Sequence, residues 1–218
     1  MPREPLLVLF DVDGTLLLTD DPLMGRAVVE TLGEVYGVEL PADAIGRVDH
    51  PGRSNKRIGR LVLRAAGLDD AAIDPSLDRW CELSAQRYLE LLAAVEAPGW
   101  QLRPGSFEAL EALERDGMRL ALLTGNPEPV ARARMERLGL ARFFPPGQGG
   151  FGCDAEERAA LIETARRRAR GWPAGRTVAV GDTPRDGEAA REAGVRSILF
   201  GPDVDDMACV VAALRALA

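Results

Sequence analysis

The stretch LLVLFDVDGTLL, residues 6–17, decides how the rest of the chain is read. Five apolar residues, Leu6 to Phe10, run unbroken into Asp11, and Asp13 follows after a single valine. A short continuous run of Leu, Val and Phe is the pattern of a strand covered on both faces, as in a parallel sheet. In extended backbone, residues two apart point to the same side, so Asp11 and Asp13 share one small volume while Val12 turns back to the core. Neighbouring carboxylates repel, and taking them out of water is costly without a compensating cation. The stretch therefore predicts a parallel α/β core and a charged site at one strand end.

Three more apolar runs repeat the pattern: RLALLT (119–124), TVAVGD (177–182) and VRSILF (195–200). Helical periodicity lies between them. SFEALEALERDG places Phe107, Leu110 and Leu113 on one face with Gly117 as a stop, and EPVARARMERLG aligns Ala131, Met135 and Leu138 before Gly139. DAEERAALIETARRRA opens with Asp154 and Glu157 in capping-box spacing. Strand–helix alternation from 104 onward predicts a doubly wound parallel sheet. Residues 17–100 break that rhythm, with helical patterns near 22–36, 54–66 and 75–95 and no strand. The expected organisation is an α/β core over 1–16 and 101–218, with a helical cap over 17–100. Pro98-Gly99 and Pro104-Gly105 mark the return to the core, the expected hinge.

Composition narrows the function classes. A net charge of −7 argues against nucleic acid or an anionic membrane surface as partner, though a local cation can still hold an anionic substrate. No run approaches the roughly 18 apolar residues of a membrane span. The apolar run before Asp11 is too short for a signal-peptide core. Cys81, Cys153 and Cys209 are far apart with no C-x-x-C pair, which predicts unpaired apolar thiols, a reducing compartment and a cytoplasmic protein. A monomer or homodimer is expected. Lys56 is the only lysine and His50 the only histidine, so neither a histidine dyad nor a multi-histidine metal site is available. Arg166, Arg167, Arg168 and Arg170 read as a solvated helix face, and the tryptophans as packing residues.

Ligands of open parallel sheets bind beyond the carboxyl ends of the strands. Those ends carry Asp11 and Asp13, then Thr124-Gly125-Asn126, then Gly181-Asp182 with Asp186 beyond. Carboxylates beside a hydroxyl and glycine-assisted amides make a site for a cation and a cradle for an anion. Mg²⁺ suits a site built from few carboxylates, water and substrate phosphate, with Asp182 joining Asp11 and Asp13. The chemistry that fits is phosphoryl transfer through an aspartyl-phosphate. Asp11 is the nucleophile, Asp13 the acid and base, and Thr124, Gly125 and Asn126 the phosphate cradle. Arg158, after the glycine-rich GQGGFG, is the candidate positive group. His50 and Arg53 are candidate substrate contacts.

The motifs DVDGTL, LLTGN, an arginine ahead of a helix, and GDTPRD occur in the order found in the haloacid dehalogenase-like hydrolase superfamily, and the layout resembles its phosphoglycolate phosphatase-like branch. The resemblance spans 6–201. It implies a Rossmann-like core with a helical cap and Mg²⁺ held by the Asp11 carboxylate, the Asp13 main-chain carbonyl and Asp182, with Asp186 in support. It also implies hydrolysis of a small phosphomonoester, phosphoglycolate among the candidates. Arg158 stands where the family usually has lysine, and in IGRVDHPGR Val48 stands where such caps carry threonine.

Other readings have their own requirements. An EF-hand would need a ligand at 15 and glycine at 16, where Thr15 and Leu16 stand. A phosphonatase would need an imine-forming cap lysine, leaving only Lys56, and a dehalogenase has no use for Asp13. A phosphomutase of the β-phosphoglucomutase type differs only in its cap. A catalytically silent binding protein on the same fold would be marked by loss of Asp11 or Asp182, and both are present.

Overall fold

The computed structural model describes residues 5–96, 99–201 and 204–218. A five-stranded parallel sheet forms the centre: β1 (Leu7–Phe10), β2 (Arg119–Thr124), β3 (Gly150–Phe151), β4 (Thr177–Gly181) and β5 (Arg196–Leu199), in the order β3-β2-β1-β4-β5. Leu7 of β1 is paired with Arg119 on one side and Thr177 on the other. The four strands read from the sequence are present to within a residue. β3 was not among them, because a two-residue edge strand inside GQGGFG has no length over which periodicity can show.

The central strand is apolar throughout because its alternate side chains feed two cores. Leu6, Val8 and Phe10 enter one cluster with Leu110, Leu113, Met135, Val210 and Leu214. These come from α5 (Ser106–Arg115), α6 (Glu128–Arg137) and α9 (Met207–Leu217). Leu7 and Leu9 enter the other, with Leu161, Ile162, Ala189 and Ala190 of α7 (Arg158–Arg168) and α8 (Pro184–Glu192). Each fully buried Leu, Val or Phe contributes on the order of 1.5–3 kcal/mol. The chain leaves β1 toward β2 and β3, then returns past β1 to β4, so the topological switch falls beside the end of β1, where Asp11 lies.

Between β1 and β2 the chain makes α1 (Pro22–Tyr36), α2 (Asn55–Ala65), the short α3 (Asp70–Ile73) and α4 (Leu77–Ala93). This helical insertion packs around its own cluster, including Val28, Leu32, Leu63 and Trp80. Trp80 is fully buried and its Nε1 donates to Thr31 Oγ1 at 3.0 Å. Among the described residues, no helix is long and apolar enough to cross a membrane. Pro98 of the expected hinge lies outside the described residues.

The structure departs from the sequence expectations at three points. Cys81 of α4 and Cys153, just beyond β3, form a disulfide with Cα atoms 5.9 Å apart, so only Cys209 is free. Pairing between residues 72 apart leaves no spacing signature, and with it goes the cysteine argument for a reducing compartment. The Asp154–Glu157 capping box does not form: α7 begins at Arg158, and Asp154 accepts from Phe151 N and pairs with Arg168. The arginines after it are more engaged than a solvated face. Arg168 pairs with Asp154 at 2.6 Å, and Arg166 Nε donates to Trp172 O at 2.8 Å.

Candidate active site

Asp11 continues the ladder one step past β1, its N–H donating to Val180 O at 2.9 Å, and is 6% exposed. The chain then turns sharply, with Leu16 N and Leu17 N both donating to Val12 O. Gly14 takes φ +78°, and a Cβ there would lie 2.1 Å from Asp182 Oδ2, so only glycine fits. Arg103 clamps this turn from outside by donating to Thr15 O at 2.7 Å and to Gly14 O. Nothing in its sequence setting marked Arg103.

Arg158, the first residue of α7, is 8% exposed and places Nη2 2.7 Å from Asp11 Oδ1 and 2.6 Å from Asp186 Oδ1. Asp186 has a second task in a capping box, its Oδ2 accepting from Thr183 N at 3.0 Å. Asp182 accepts from Thr15 Oγ1 at 3.2 Å. Asp11, Asp182 and Asp186 each offer a carboxylate oxygen within 4.8 Å of the others, an acidic cluster that could hold a metal ion. Asp186, read from sequence as support, is thus a member of that cluster. The Asp13 side chain is not, so Asp13 could contribute only through its main-chain carbonyl. A second group has exposed Asp205 and Asp206 beside a partly buried Cys209, and there Asp206 caps α9.

The Asp13 carboxylate is held at both oxygens. Asn126 Nδ2 donates to Oδ2, and Arg134 of α6 sits 2.7 Å from Oδ1. Asn126 also donates to the Thr124 hydroxyl at 2.9 Å, so in this arrangement Asn126 supports Asp13 and Thr124 directly. Arg134 is the residue sequence reading missed. Its signal was its position: it shares a face with Val130, Ala131 and Met135, all buried, where an arginine needs partners.

These groups open on a cavity of 610 Å³ lined by Asp11, Asp13, Gly125, Asn126, Arg158 and Asp182 from the sheet edge and by His50 and Arg53 from the insertion. Thr124 is fully buried behind that wall. His50 Nδ1 lies 3.1 Å from Val48 O, and Arg53 pairs with Asp49 at 2.9 Å. The insertion is seated on the core by main-chain bonds: Asn55 N donates to Gly125 O at 2.7 Å and Lys56 N to Gly152 O at 3.1 Å. A Cβ on Gly125 would lie 2.2 Å from Arg53 O, and one on Gly152 1.6 Å from Gly125 O. Arg60, 9% exposed, forks onto Glu156 of the core and also pairs with Asp70 and Asp74.

Burial pushes the Asp11 carboxyl from the ordinary range up to about 8; Arg158 opposes the rise, and Asp186 and Asp13 add to it. Asp182 is also raised, by burial first and then by Asp186. Two neighbouring carboxyls, Asp11 and Asp182, that both resist ionisation make a site that a cation would relieve.

The family model of the haloacid dehalogenase-like hydrolases matches residues 6–194, and the chain belongs to that family and is a hydrolase. It is 32% identical over 197 residues to a phosphoglycolate phosphatase of Rhodospirillum rubrum, covering 90% of this chain and 79% of that one. It is 30% identical over 230 residues to a phosphoglycolate phosphatase of Agrobacterium fabrum, covering 98% and 93%. Among solved structures, CbbY of Rhodobacter sphaeroides in complex with phosphate superposes with a TM-score of 0.64 at 26% identity, over 90% of this chain and 86% of that one.

Proposed function

We propose that this hydrolase is a Mg²⁺-dependent phosphatase that cleaves a small-molecule phosphomonoester through an aspartyl-phosphate on Asp11. The observation that carries this reading is Asp11 itself: buried, 2.7 Å from Arg158, clustered with Asp182 and Asp186, and open to the cavity. Three carboxylate oxygens within 4.8 Å suit a hard divalent ion, and the raised Asp11 and Asp182 carboxyls agree with a site meant to hold one. Asp11, Asp182 and Asp186 would hold it with the Asp13 carbonyl. When bound, Mg²⁺ would screen the charge of nucleophile and phosphate and keep Asp11 ionised.

The chain's own residues supply the rest. Asp11 attacks phosphorus as the ester P–O bond breaks, and Asp13 gives a proton to the departing alkoxide. Asp13 then takes a proton from the water that attacks the phospho-aspartate, releasing phosphate and restoring Asp11. Acid–base help of this kind is worth roughly 10²–10⁴ in rate. Arg158 and the amides at Gly125 and Asn126 hold the phosphoryl oxygens, a role arginine performs with a planar fork rather than a point charge, while the buried Thr124 hydroxyl supports that loop by accepting from Asn126. The core is 1–16 with 101–218, and 17–100 acts as a cap that excludes water and presents His50 and Arg53 to the substrate. Phosphoglycolate is the first substrate to try, given the relatives named above. A cytoplasmic location belongs to the same proposal without support from the cysteines, since Cys81 and Cys153 are paired, and cell fractionation tests it, recovery outside the cytoplasm overturning it.

The test is phosphate release from a panel of phosphoglycolate, sugar phosphates and nucleotides, with Mg²⁺ or with EDTA. Release that needs Mg²⁺ and vanishes in Asp11→Asn, with the fold intact by circular dichroism, supports the proposal. Near-wild-type turnover by Asp11→Asn would sink the mechanism. Isomerisation of a sugar phosphate without release would point to a mutase.

A further inference from the structure

Arg134 is among the most buried side chains in the molecule, and nothing in the chemistry above requires it. Its side chain is 2% exposed, and three of its donors are committed. Nη1 lies 2.7 Å from Asp13 Oδ1, Nη2 lies 3.0 Å from Asp21 Oδ2, and Nε donates to Tyr88 Oη at 3.1 Å. The guanidinium carbon is 5.3 Å from the Tyr88 ring centroid. The partners come from three places: Asp13 from the sheet edge, Asp21 from the N-cap of α1, and Tyr88 from α4. Tyr88 Oη in turn donates to Asp21 Oδ2 at 2.5 Å, and the Asp21 side chain is 2% exposed. Burial works against the Arg134 charge, and Asp13, Tyr88 and Asp21 more than restore it, so the cation is firmly fixed.

We infer that Arg134 is a positioning residue for Asp13, tying the orientation of that carboxylate to the seating of the helical insertion. The inference rests on the reading of Asp13 as the acid and base. The Asp13 side chain is half exposed and would otherwise rotate freely in the cavity. Asn126 holds one oxygen from the core, and Arg134 holds the other. Arg134 is itself held by Asp21 and Tyr88, both within the insertion. A planar fork shared among three partners sets direction as well as distance, which an ammonium cannot do. Were the insertion to part from the core, Arg134 would lose Asp21 and Tyr88 and the Asp13 clamp would loosen. When it seats, the carboxyl is aimed where the leaving oxygen must be.

The first half-reaction exposes this role. With an alkyl phosphate, the ester P–O bond breaks as the P–O bond to Asp11 forms, and the Asp13 proton passes to the alkoxide to give the alcohol. With p-nitrophenyl phosphate the same bonds change, but the phenolate departs as a stable anion and Asp13 keeps its proton. Misaiming Asp13 therefore slows the first substrate and spares the second.

The experiment is rapid-quench formation of the phospho-enzyme by wild type, Arg134→Lys and Asp13→Asn, using glycerol 2-phosphate and p-nitrophenyl phosphate. For Arg134→Lys we expect a loss of about 10²-fold with the alkyl phosphate, the cost of a misplacement near 1 Å, and about threefold or less with the aryl phosphate. Apparent substrate affinity should be nearly unchanged for both. Asp13→Asn should show the same selectivity, more strongly. If Arg134→Lys does not fold, Tyr88→Phe carries the same test with a smaller selective loss. Equal losses with the two substrates, or no loss with either, would overturn the inference. Equal losses in Asp13→Asn would instead overturn the reading of Asp13 on which it rests, and no phospho-enzyme in wild type would overturn the proposed function.

Discussion

Asp11 sits at the end of a strand covered on both faces, and burial carries its carboxyl up to about 8 despite Arg158 at 2.7 Å. The sign of the consequence follows from proton linkage. With its folded pKa above the unfolded 3.8, the folded protein keeps a proton that the unfolded chain releases. That contribution to stability is whole below about 4 and is lost as pH rises toward about 8. Metal-free protein should therefore show a falling urea midpoint from pH 5 to pH 8, about the window set by those two values, and Mg²⁺ should flatten the fall. A midpoint that rises over that window in EDTA would contradict the environment described for Asp11. Gly152 makes a steric prediction at the same scale. A Cβ 1.6 Å from Gly125 O has no room, because both neighbours are main chain. Gly152→Ala should cost about 1–3 kcal/mol by denaturant titration, as overpacking typically does, and should raise KM by unseating the insertion. Wild-type stability together with wild-type KM would show that these loops part more easily than their contacts imply.

At the scale of elements, the insertion is fastened to the core by main-chain bonds, an ion pair and a covalent bond, besides the Arg134 contacts and the packing of Val130 against Ala27, Ala85 and Leu92. The first turn of α2 donates main-chain N–H groups to Gly125 and Gly152, Arg60 forks onto Glu156, and Cys81 of α4 is joined to Cys153. Closing a loop of that length restricts the unfolded chain by up to about 4 kcal/mol in the chain-entropy account. Reduction of the native enzyme, or Cys81→Ser, should lower the urea midpoint accordingly, and Arg60→Met should lower it further by leaving Glu156 without its fork. If the midpoint is the same with and without reductant while free thiol rises from one to three, the crosslink restricts little in the unfolded state. The elements also explain why Arg158 and Asp186 meet. Both stand in the first turns of helices that follow strand ends, α7 after β3 and α8 after β4, so sheet order brings them to the same edge as Asp11.

The whole molecule is negatively charged, yet it turns Arg53, Arg134 and Arg158 toward its cavity. A ligand that bridges the sheet edge and the insertion should hold both together. Mg²⁺ with inorganic phosphate at about 100 times its Kd should raise stability by roughly 2.7 kcal/mol, and neither alone should do as much. The check is thermal unfolding with each ligand singly and together, and strictly additive shifts would mean that the two do not share a site.

Much of this was legible in the chain because it is local. The apolar run ending at Asp11, the D-x-D spacing, Thr124-Gly125-Asn126 and Gly181-Asp182 each declare themselves within a few residues, since strand periodicity and backbone turns are set by neighbours in sequence. The parallel core, the helical segment between its first two strands and the acidic strand ends followed from that. What only the tertiary structure decided is everything that depends on residues distant in sequence. The apolar face of α6 shows that Arg134 needs a partner but not that the partner is Asp13, and the hold of Asn126 on Asp13, the Cys81–Cys153 bond, the Arg103 tie across the turn and the two-residue β3 leave no periodic trace. Their partners are chosen by packing: a buried charge or an unpaired main-chain group takes whichever complement the fold brings within reach, and no spacing in one dimension records that choice.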